Sequence, residues 1–173
     1  TGILAVLKCG AAYVPIDVRW PAERRAAVLA DSGVCLVLGD DPQVPGLDWL
    51  ALDLDVPMPS SLAAWPIQVP QLPAYLIYTS GSSGAPKAVV ASRGNLAAYV
   101  AGLGQRLQWP ANSSFAMVST VAADLGHTVL FAALSQGGLL HLADDEHAFD
   151  PDAFAQWQGE QGADVLKITP SHL

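Results

Sequence analysis

Ala74-Tyr-Leu-Ile-Tyr-Thr-Ser-Gly-Ser-Ser-Gly-Ala-Pro-Lys-Ala-Val-Val-Ala91 is the stretch of this chain that says most about its fold. Its two ends, Ala74–Tyr78 and Lys87–Ala91, are short runs rich in apolar, aromatic and β-branched residues, a composition that predicts two strands. A loop rich in serine and glycine runs between them to Pro86. The stretch therefore predicts a strand, a polar loop and a second strand.

The polar loop combines two glycines, four hydroxyl side chains and one lysine. Gly81 and Gly84 can adopt backbone angles closed to other residues, so consecutive N–H groups can converge on an anion. Hydroxyl donors that suit phosphate oxygens come from Thr79, Ser80, Ser82 and Ser83. Lys87 adds a compact positive charge. The pattern predicts a phosphate-binding loop, with a flexible Ser/Gly turn of a hairpin as the alternative; the Walker pattern Gly-x-x-x-x-Gly-Lys-Ser/Thr is absent.

Outward from this loop, predicted helices alternate with predicted strands. The helices are expected at residues 1–9, 21–31, 95–107, 124–135 and 151–158. The further strands are expected at residues 12–17, 34–38, 49–54, 114–119, 139–142 and 163–168. This alternation predicts an α/β fold, with a mostly parallel sheet and covering helices. Residues 40–73 contain seven prolines and are expected to form an irregular connection.

Composition restricts the possible partners. The chain is 51% apolar and has a formal net charge of −8, so it can form a core but lacks the basic patch typical of nucleic-acid or anionic-membrane binding. No apolar run approaches the about 20 residues of a membrane span.

Cys9 and Cys35 lie among apolar residues and are predicted to be buried free thiols, which favours a reducing, cytoplasmic location.

Both ends of the sequence suggest an internal piece. The chain begins inside a predicted amphipathic helix, Thr1–Lys8, and stops at Leu173, where a further element is expected. We therefore expect a partial domain over residues 1–173, truncated at both ends.

Two motifs resemble a known family. Nine of the ten positions from Tyr78 to Lys87 agree, in identity or in hydroxyl type, with the phosphate-binding signature of the adenylate-forming superfamily. Leu7-Lys-Cys-Gly-Ala-Ala-Tyr-Val-Pro-Ile-Asp17, followed by Pro21-x-Glu-Arg24 and Leu29-x-Asp31-Ser32, is similar to a motif of the adenylation domains of nonribosomal peptide synthetases. The resemblance implies part of the N-terminal subdomain of such a domain.

The resemblance also implies a phosphate site. The residues that would contact ATP are Thr79, Ser80, Gly81, Ser82, Ser83, Gly84 and Lys87, and Lys87 would act in catalysis. Two positions depart from the family pattern. Ala88 stands where the family usually has glycine, and Arg93 replaces a common histidine, a change expected to alter contacts near the acyl group.

A substrate site is implied as well. Counting back from Gly137 puts Asp124 at the family position that binds the substrate α-amino group, with Leu125 and Thr128 lining the side-chain pocket. A partly desolvated carboxylate at that position would be stabilised by the substrate ammonium. The alternative is an aspartate that satisfies amides at a helix N-terminus. Ala123 and Gly126 replace the aromatic and serine residues of the family motif.

The implied function is ATP-dependent formation of an aminoacyl-AMP and pyrophosphate, followed by loading of the phosphopantetheine of a carrier domain. Carrier and condensation domains of the same synthetase would be partners, and most ligands of Mg²⁺ would lie beyond Leu173. Alternatives are a fragment of a stand-alone acyl-CoA or aryl-acid ligase, or an inert structural remnant. By itself the chain is expected to show no turnover.

Three histidines invite other interpretations. His127 lies beside the inferred pocket positions without an evident carboxylate partner in the sequence, and it is predicted to be a packed or surface side chain. His141 and His147, with the acidic run 144–146, could suggest a metal site, but a solvated loop is the preferred interpretation. No metal ligand is therefore predicted in this chain.

Overall fold

The computed structural model describes residues 1–39, 46–53, 55, 69–80 and 86–170. The chain divides into two compact units. Unit 1 comprises Thr1–Val14 and Val18–Gly94, and unit 2 comprises Pro15–Asp17 and Asn95–Leu173.

The described part of unit 1 contains two helices and two pairs of strands. Its elements are α1 (Gly2–Lys8), α2 (Ala22–Ser32), β1 (Leu36–Leu38), β2 (Asp48–Leu50), β3 (Pro73–Ser80) and β4 (Pro86–Ser92). Strands β1 and β2 pair in parallel. Strands β3 and β4 pair antiparallel, and their ladder continues to Ser80 opposite Pro86. The strands predicted on either side of the polar loop are therefore the two arms of one hairpin.

Unit 2 is built on a parallel sheet. Its elements are α3 (Arg93–Leu107, which begins at the end of unit 1), β5 (Ser114–Met117), α4 (Asp124–Gln136), β6 (Leu139–Leu142), α5 (Asp145–Phe149), α6 (Pro151–Gln161) and β7 (Val165–Leu166). The strand order is β6-β5-β7, and both pairings are parallel. Helices connect the successive strands, as parallel strands require. The carboxyl ends of all three strands therefore meet at one edge.

The core of unit 2 forms against the central strand. Phe115 of β5 is fully buried and clusters with Val129, Ala132 and Ala133 of α4. A second cluster joins Ala116 and Val118 to Ala148 and Trp157, from α5 and α6. Residues 115 and 116 point to opposite faces of the strand, so each face carries its own cluster. This packing fixes the position of α4 on the sheet.

The predicted α/β fold is confirmed, and most predicted helices and strands lie within a few residues of the observed ones. Gly137 closes α4 in the left-handed conformation, with φ of 67°. This is the helix end from which the Asp124 position was counted. Within the described residues, no helix is both long and apolar enough to cross a membrane.

Several expectations for unit 1 were wrong. The strand predicted at residues 12–17 is reduced to one bridge between Tyr13 and Tyr75, since Pro15 offers no N–H for a ladder. The strand expected at residues 34–38 begins only at Leu36, and the side chain of this residue is 47% exposed. Both cysteines, Cys9 and Cys35, are exposed rather than buried. In the proline-rich connection 40–73, residues 40–45, 54 and 56–68 lie outside the described residues, so its irregular structure remains a prediction.

Candidate functional site

The arms of the β3–β4 hairpin carry the outer residues of the predicted phosphate loop. Thr79 pairs with Lys87 and Ser80 with Pro86, at the end of the ladder. The Thr79 hydroxyl donates a long hydrogen bond of 3.4 Å to the Lys87 carbonyl. Thr79 and Ser80 were expected in the loop but belong to β3, and both are exposed, as is Lys87. Gly81, Ser82, Ser83 and Gly84 lie outside the described residues, so their role remains a prediction.

Tyr78, which comes just before this end of the hairpin, is hydrogen-bonded to helix α2. Tyr78 is 4% exposed, and its hydroxyl donates a 2.7 Å hydrogen bond to the Asp31 carboxylate. Burial, with further contributions from the hydrogen bond to Asp31 and from its charge, raises the pKa of Tyr78 to about 12. The hydroxyl therefore keeps its proton at neutral pH. Sequence analysis missed this contact because it joins residues 47 positions apart.

Arg93 has a structural role within unit 1. Its guanidinium donates to the carbonyls of Leu7, at 2.9 Å, and Ala11, at 2.8 Å. Leu7 lies in the last turn of α1, and its carbonyl also accepts a 3.1 Å hydrogen bond from the Gly10 N–H. The described contacts of Arg93 thus connect it to the end of α1 and the segment that follows, and the expected change near the acyl group remains a prediction.

In unit 2, Asp124 is the first residue of α4. The loop before it follows the carboxyl end of β5, the edge at which ligands commonly bind to parallel sheets. Asp124 is exposed, so the expected partial desolvation of its carboxylate was wrong. The N-cap residue is Ala123, not Asp124, which weakens the interpretation of this side chain as a helix cap. Within the part of the chain that the structure describes, no donor is hydrogen-bonded to the carboxylate.

The packing around position 126 explains why a glycine is found there. A Cβ atom at this position would lie 2.8 Å from the Thr120 carbonyl oxygen and 3.3 Å from the Ser119 hydroxyl. Such a separation from main chain is too short for any side chain unless the loop moves. The first turn of α4 therefore packs directly on the segment that leaves β5.

Thr128 is one turn after Asp124 and belongs to a polar cluster of three residues. Its hydroxyl lies 2.9 Å from the Tyr99 hydroxyl of α3 and accepts a 2.5 Å hydrogen bond from the Lys167 ammonium. Lys167 follows β7 directly and also lies 3.5 Å from the Tyr99 hydroxyl. No carboxylate among the described residues forms an ion pair with this ammonium. Leu125, the other predicted pocket residue, is half-buried.

Sequence analysis missed Tyr99 and Lys167. The cluster joins three elements, and Lys167 is 39 positions from Thr128 and 68 from Tyr99. No local spacing pattern connects positions this far apart. One local signal is that Lys167 comes directly after an apolar strand, at the same edge of the sheet as the segment that leads from β5 to Asp124.

The three histidines of the described residues occupy separate environments. His127 is 3% exposed and packs against the Phe131 ring, which agrees with the predicted packed side chain. The segment expected as a solvated loop is instead helix α5, whose N-cap Asp144 accepts from the His147 main-chain N–H at 2.9 Å and contacts His147 Nδ1 at 2.6 Å. His141 Nδ1 lies 2.9 Å from the Gln161 side-chain oxygen. Among the described residues, no group of three His, Cys, Asp or Glu could bind a metal ion.

Known proteins match this chain over almost its whole length. The AMP-binding enzyme family matches residues 1–173. The chain is 32% identical over 99% of its length to syringomycin synthase SyrB1 of Pseudomonas syringae pv. syringae and 33% identical over 98% to surfactin synthase subunit 2 of Bacillus subtilis (strain 168). It spans only 29% and 5% of those two proteins.

Solved structures match at the level of the fold. The N-terminal subdomain of Klebsiella oxytoca NpsA, in complex with 3-hydroxybenzoyl-AMSN, is 25% identical, with a TM-score of 0.80 over 95% of this chain and 42% of that one. The nonribosomal peptide synthetase FmoA3 (S1046A), in an AMPPNP-bound form, is 26% identical, with a TM-score of 0.81 over 93% of this chain and 18% of that one.

Proposed function

Because the chain belongs to the AMP-binding enzyme family, we propose that it forms part of the N-terminal subdomain of an amino-acid adenylation domain in a nonribosomal peptide synthetase. The observation that carries this proposal is the β3–β4 hairpin, whose exposed Thr79, Ser80 and Lys87 flank the Ser/Gly run. Similarity to peptide synthases and to FmoA3 supports the same class of enzyme. ATP as a co-substrate favours a cytoplasmic location.

The proposed reaction transfers an adenylyl group to a carboxylate. A substrate carboxylate oxygen attacks the α-phosphorus of ATP, forming an O–P bond, while the bond from that phosphorus to the β-phosphate oxygen breaks. Pyrophosphate leaves with the electron pair, and no protein nucleophile is required. Catalysis then depends on positioning and on neutralising charge on the leaving group.

Lys87 is the group proposed to neutralise that charge. Its ammonium and the hydroxyls of Thr79 and Ser80 are exposed at the end of the hairpin, where they can contact phosphate oxygens. In a chain of net charge −8, a polyanion requires such a local cation. Mg²⁺ would accompany ATP, but the described residues offer no cluster of ligands for it.

Asp124 is proposed to bind the substrate α-amino group. Its carboxylate is exposed at the start of α4 and has no hydrogen-bonded partner among the described residues, so it can accept an ammonium. A carboxylate and an ammonium in contact form a charge-assisted hydrogen bond, stronger than a neutral one. An aryl or fatty acid lacks this ammonium, so Asp124 favours an amino acid over the aryl-acid or acyl-CoA alternatives.

The Tyr99–Thr128–Lys167 cluster is proposed to select the substrate side chain. The Lys167 ammonium contacts the hydroxyl oxygens of Tyr99 and Thr128, and neither of these groups carries a negative charge. Its charge is therefore available to an acceptor from outside the chain. We propose a substrate side chain that ends in a carboxylate or a carbonyl oxygen, with the anion preferred because it pairs with the full charge.

The second step of the proposed function is transfer of the aminoacyl group to a phosphopantetheine thiol. Carrier and condensation domains of the same synthetase are the proposed partners. The adenylate is a mixed anhydride, so thiolate attack at its carbonyl forms a thioester and releases AMP. This step belongs to the whole protein, of which this chain is proposed to be one part.

The proposed function is tested by amino-acid-dependent exchange of labelled pyrophosphate into ATP, in the full-length protein that carries this sequence. Lys87→Ala should lower kcat/KM for ATP by about 10²-fold, because one preorganised charge on the leaving group is lost. Arg106→Ala, which removes an exposed cation from the last turn of α3, is the matched control and should leave exchange unchanged. Wild-type exchange in Lys87→Ala would refute the loop assignment, and exchange driven by aryl or fatty acids instead of amino acids would refute the substrate class.

The side-chain preference has a separate test. In a panel of amino acids, those with side-chain carboxylates or amides should support the highest exchange. Lys167→Met keeps the length of the side chain but removes its charge, and should lower the preference for the acidic substrate over its apolar isostere by roughly tenfold or more. An unchanged ranking of substrates in Lys167→Met would show that this ammonium does not contact the substrate.

A further inference from the structure

Two residues of α2 contact Tyr78, the residue immediately before the exposed end of β3. The Tyr78 hydroxyl donates to the Asp31 carboxylate at 2.7 Å. The Arg24 guanidinium approaches the Tyr78 carbonyl at 3.5 Å and stacks over the Trp20 ring, at 4.3 Å from its centroid. Arg24 and Asp31 are seven residues apart, two helical turns, so they lie on one face of α2. The helix thus contacts both the side chain and the main chain of Tyr78.

These contacts bear on the position of the phosphate-contacting residues. Tyr78 pairs with Ala88 in the hairpin, and the next pair along the ladder is Thr79 with Lys87. Neighbouring pairs of a ladder are separated by only about 3.4 Å along the strand. A displacement of Tyr78 relative to α2 would therefore move both Thr79 and Lys87. The hydrogen bond is strong for a neutral donor because its acceptor is charged.

We propose that Asp31 is a positioning residue, which through the Tyr78 hydroxyl fixes the end of the β3–β4 hairpin in the orientation that binds the polyphosphate of ATP. The proposal rests on the proposed function, since it requires that Thr79 and Lys87 contact ATP. Asp31 itself touches no reacting atom. Its effect is on preorganisation: a hairpin end that is fixed before binding loses less conformational entropy when the phosphates bind.

The conservative replacement Tyr78→Phe tests this directly, because it removes one oxygen and leaves the buried ring. In pyrophosphate exchange by the full-length protein, we expect KM for ATP to rise about tenfold, the factor that corresponds to one hydrogen bond to a charged group. KM for the amino acid should be unchanged. Asp31→Ala should give the same change, while Asp31→Asn should retain most of the ATP affinity, because its amide oxygen can still accept from Tyr78.

Coupling between the two residues gives a second expectation. The double variant Tyr78→Phe, Asp31→Ala should be no worse than either single variant, since both remove the same hydrogen bond. Glu23→Ala, which removes an exposed carboxylate from the first turn of α2, is the matched control for charge and should leave KM for ATP unchanged. Direct titration of ATP binding provides a readout that does not depend on turnover.

The proposal would be overturned if the variants lost stability and turnover but kept wild-type affinity for ATP. If Tyr78→Phe and Asp31→Ala lower the melting temperature and kcat but leave KM and the dissociation constant for ATP at wild-type values, the contact is only structural. Failure of the proposed function is distinguishable, because it would show as wild-type exchange in Lys87→Ala. Loss of exchange in Lys87→Ala with unchanged ATP affinity in Tyr78→Phe would refute the positioning role and leave the function standing.

Discussion

His127 lies beside the candidate substrate site, and its environment determines its protonation state. It is 3% exposed within α4, and burial lowers its pKa to about 4, although the nearby charge of Asp124 acts in the opposite direction. The ring is therefore neutral at pH 7. Burial beside the Phe131 ring makes the charged form of the imidazole costly, and this cost outweighs the attraction of Asp124.

The lowered pKa predicts a loss of stability in acid. The His127 ring binds a proton below about pH 6.5 in the unfolded state but only below about pH 4 in the folded state. Its contribution to the free energy of unfolding is therefore fully present above about pH 6.5 and is lost as the pH falls towards 4. The shift corresponds to a loss of roughly 3 kcal/mol. Urea unfolding of wild type and His127→Gln across this pH range measures the effect, and the variant should show the smaller acid-induced loss.

The difference between the two proteins isolates His127 from the carboxylates that also titrate in acid. Equal pH dependence in wild type and His127→Gln would mean that the pKa of this ring is the same in the folded and unfolded states.

At the scale of elements, the candidate substrate site depends on how closely α4 approaches the segment after β5. The small residue at position 126 permits that approach, because a Cβ there would lie 2.8 Å from the Thr120 carbonyl oxygen. Helical glycine is ordinarily unfavourable by about 1 kcal/mol relative to alanine. Its presence in the first turn of α4 is therefore explained by packing rather than by helix propensity.

Gly126→Ala is predicted to destabilise the protein by roughly 1–2 kcal/mol, because the clash with main chain outweighs the gain in helix propensity. Gly102→Ala in α3 is the matched control, since a Cβ there meets nothing within 4 Å. That control should stabilise by up to about 1 kcal/mol. Urea midpoints of both variants provide the measurement, and stabilisation by Gly126→Ala would contradict the close approach of loop and helix.

At the scale of the whole molecule, the net charge of −8 opposes the binding of any polyanion. The proposed function therefore relies on local cations, and two of them stand at different sites. Lys87 lies at the end of the hairpin in unit 1, and Lys167 lies at the carboxyl edge of the sheet in unit 2. Each is accompanied by hydroxyl groups, which solvate a charge without neutralising it.

The sequence by itself determined the alternation of helices and strands, the two strands that flank the Ser/Gly run and the end of α4 at Gly137. These features follow from local rules: apolar periodicity, turn residues and the left-handed preference of glycine. The same local reasoning failed for residues 12–17, where the absent N–H of Pro15 outweighed the apolar pattern. It also failed for Cys9 and Cys35, whose apolar neighbours in sequence did not lead to burial.

Only the tertiary structure decided which distant residues meet. The bond from Tyr78 to Asp31 and the cluster of Tyr99, Thr128 and Lys167 join elements dozens of residues apart. Their partners are chosen by the order of strands and by the packing of helices on the sheet, which depend on the whole chain at once. A motif can thus specify which groups a site needs, while the fold decides which further groups surround them.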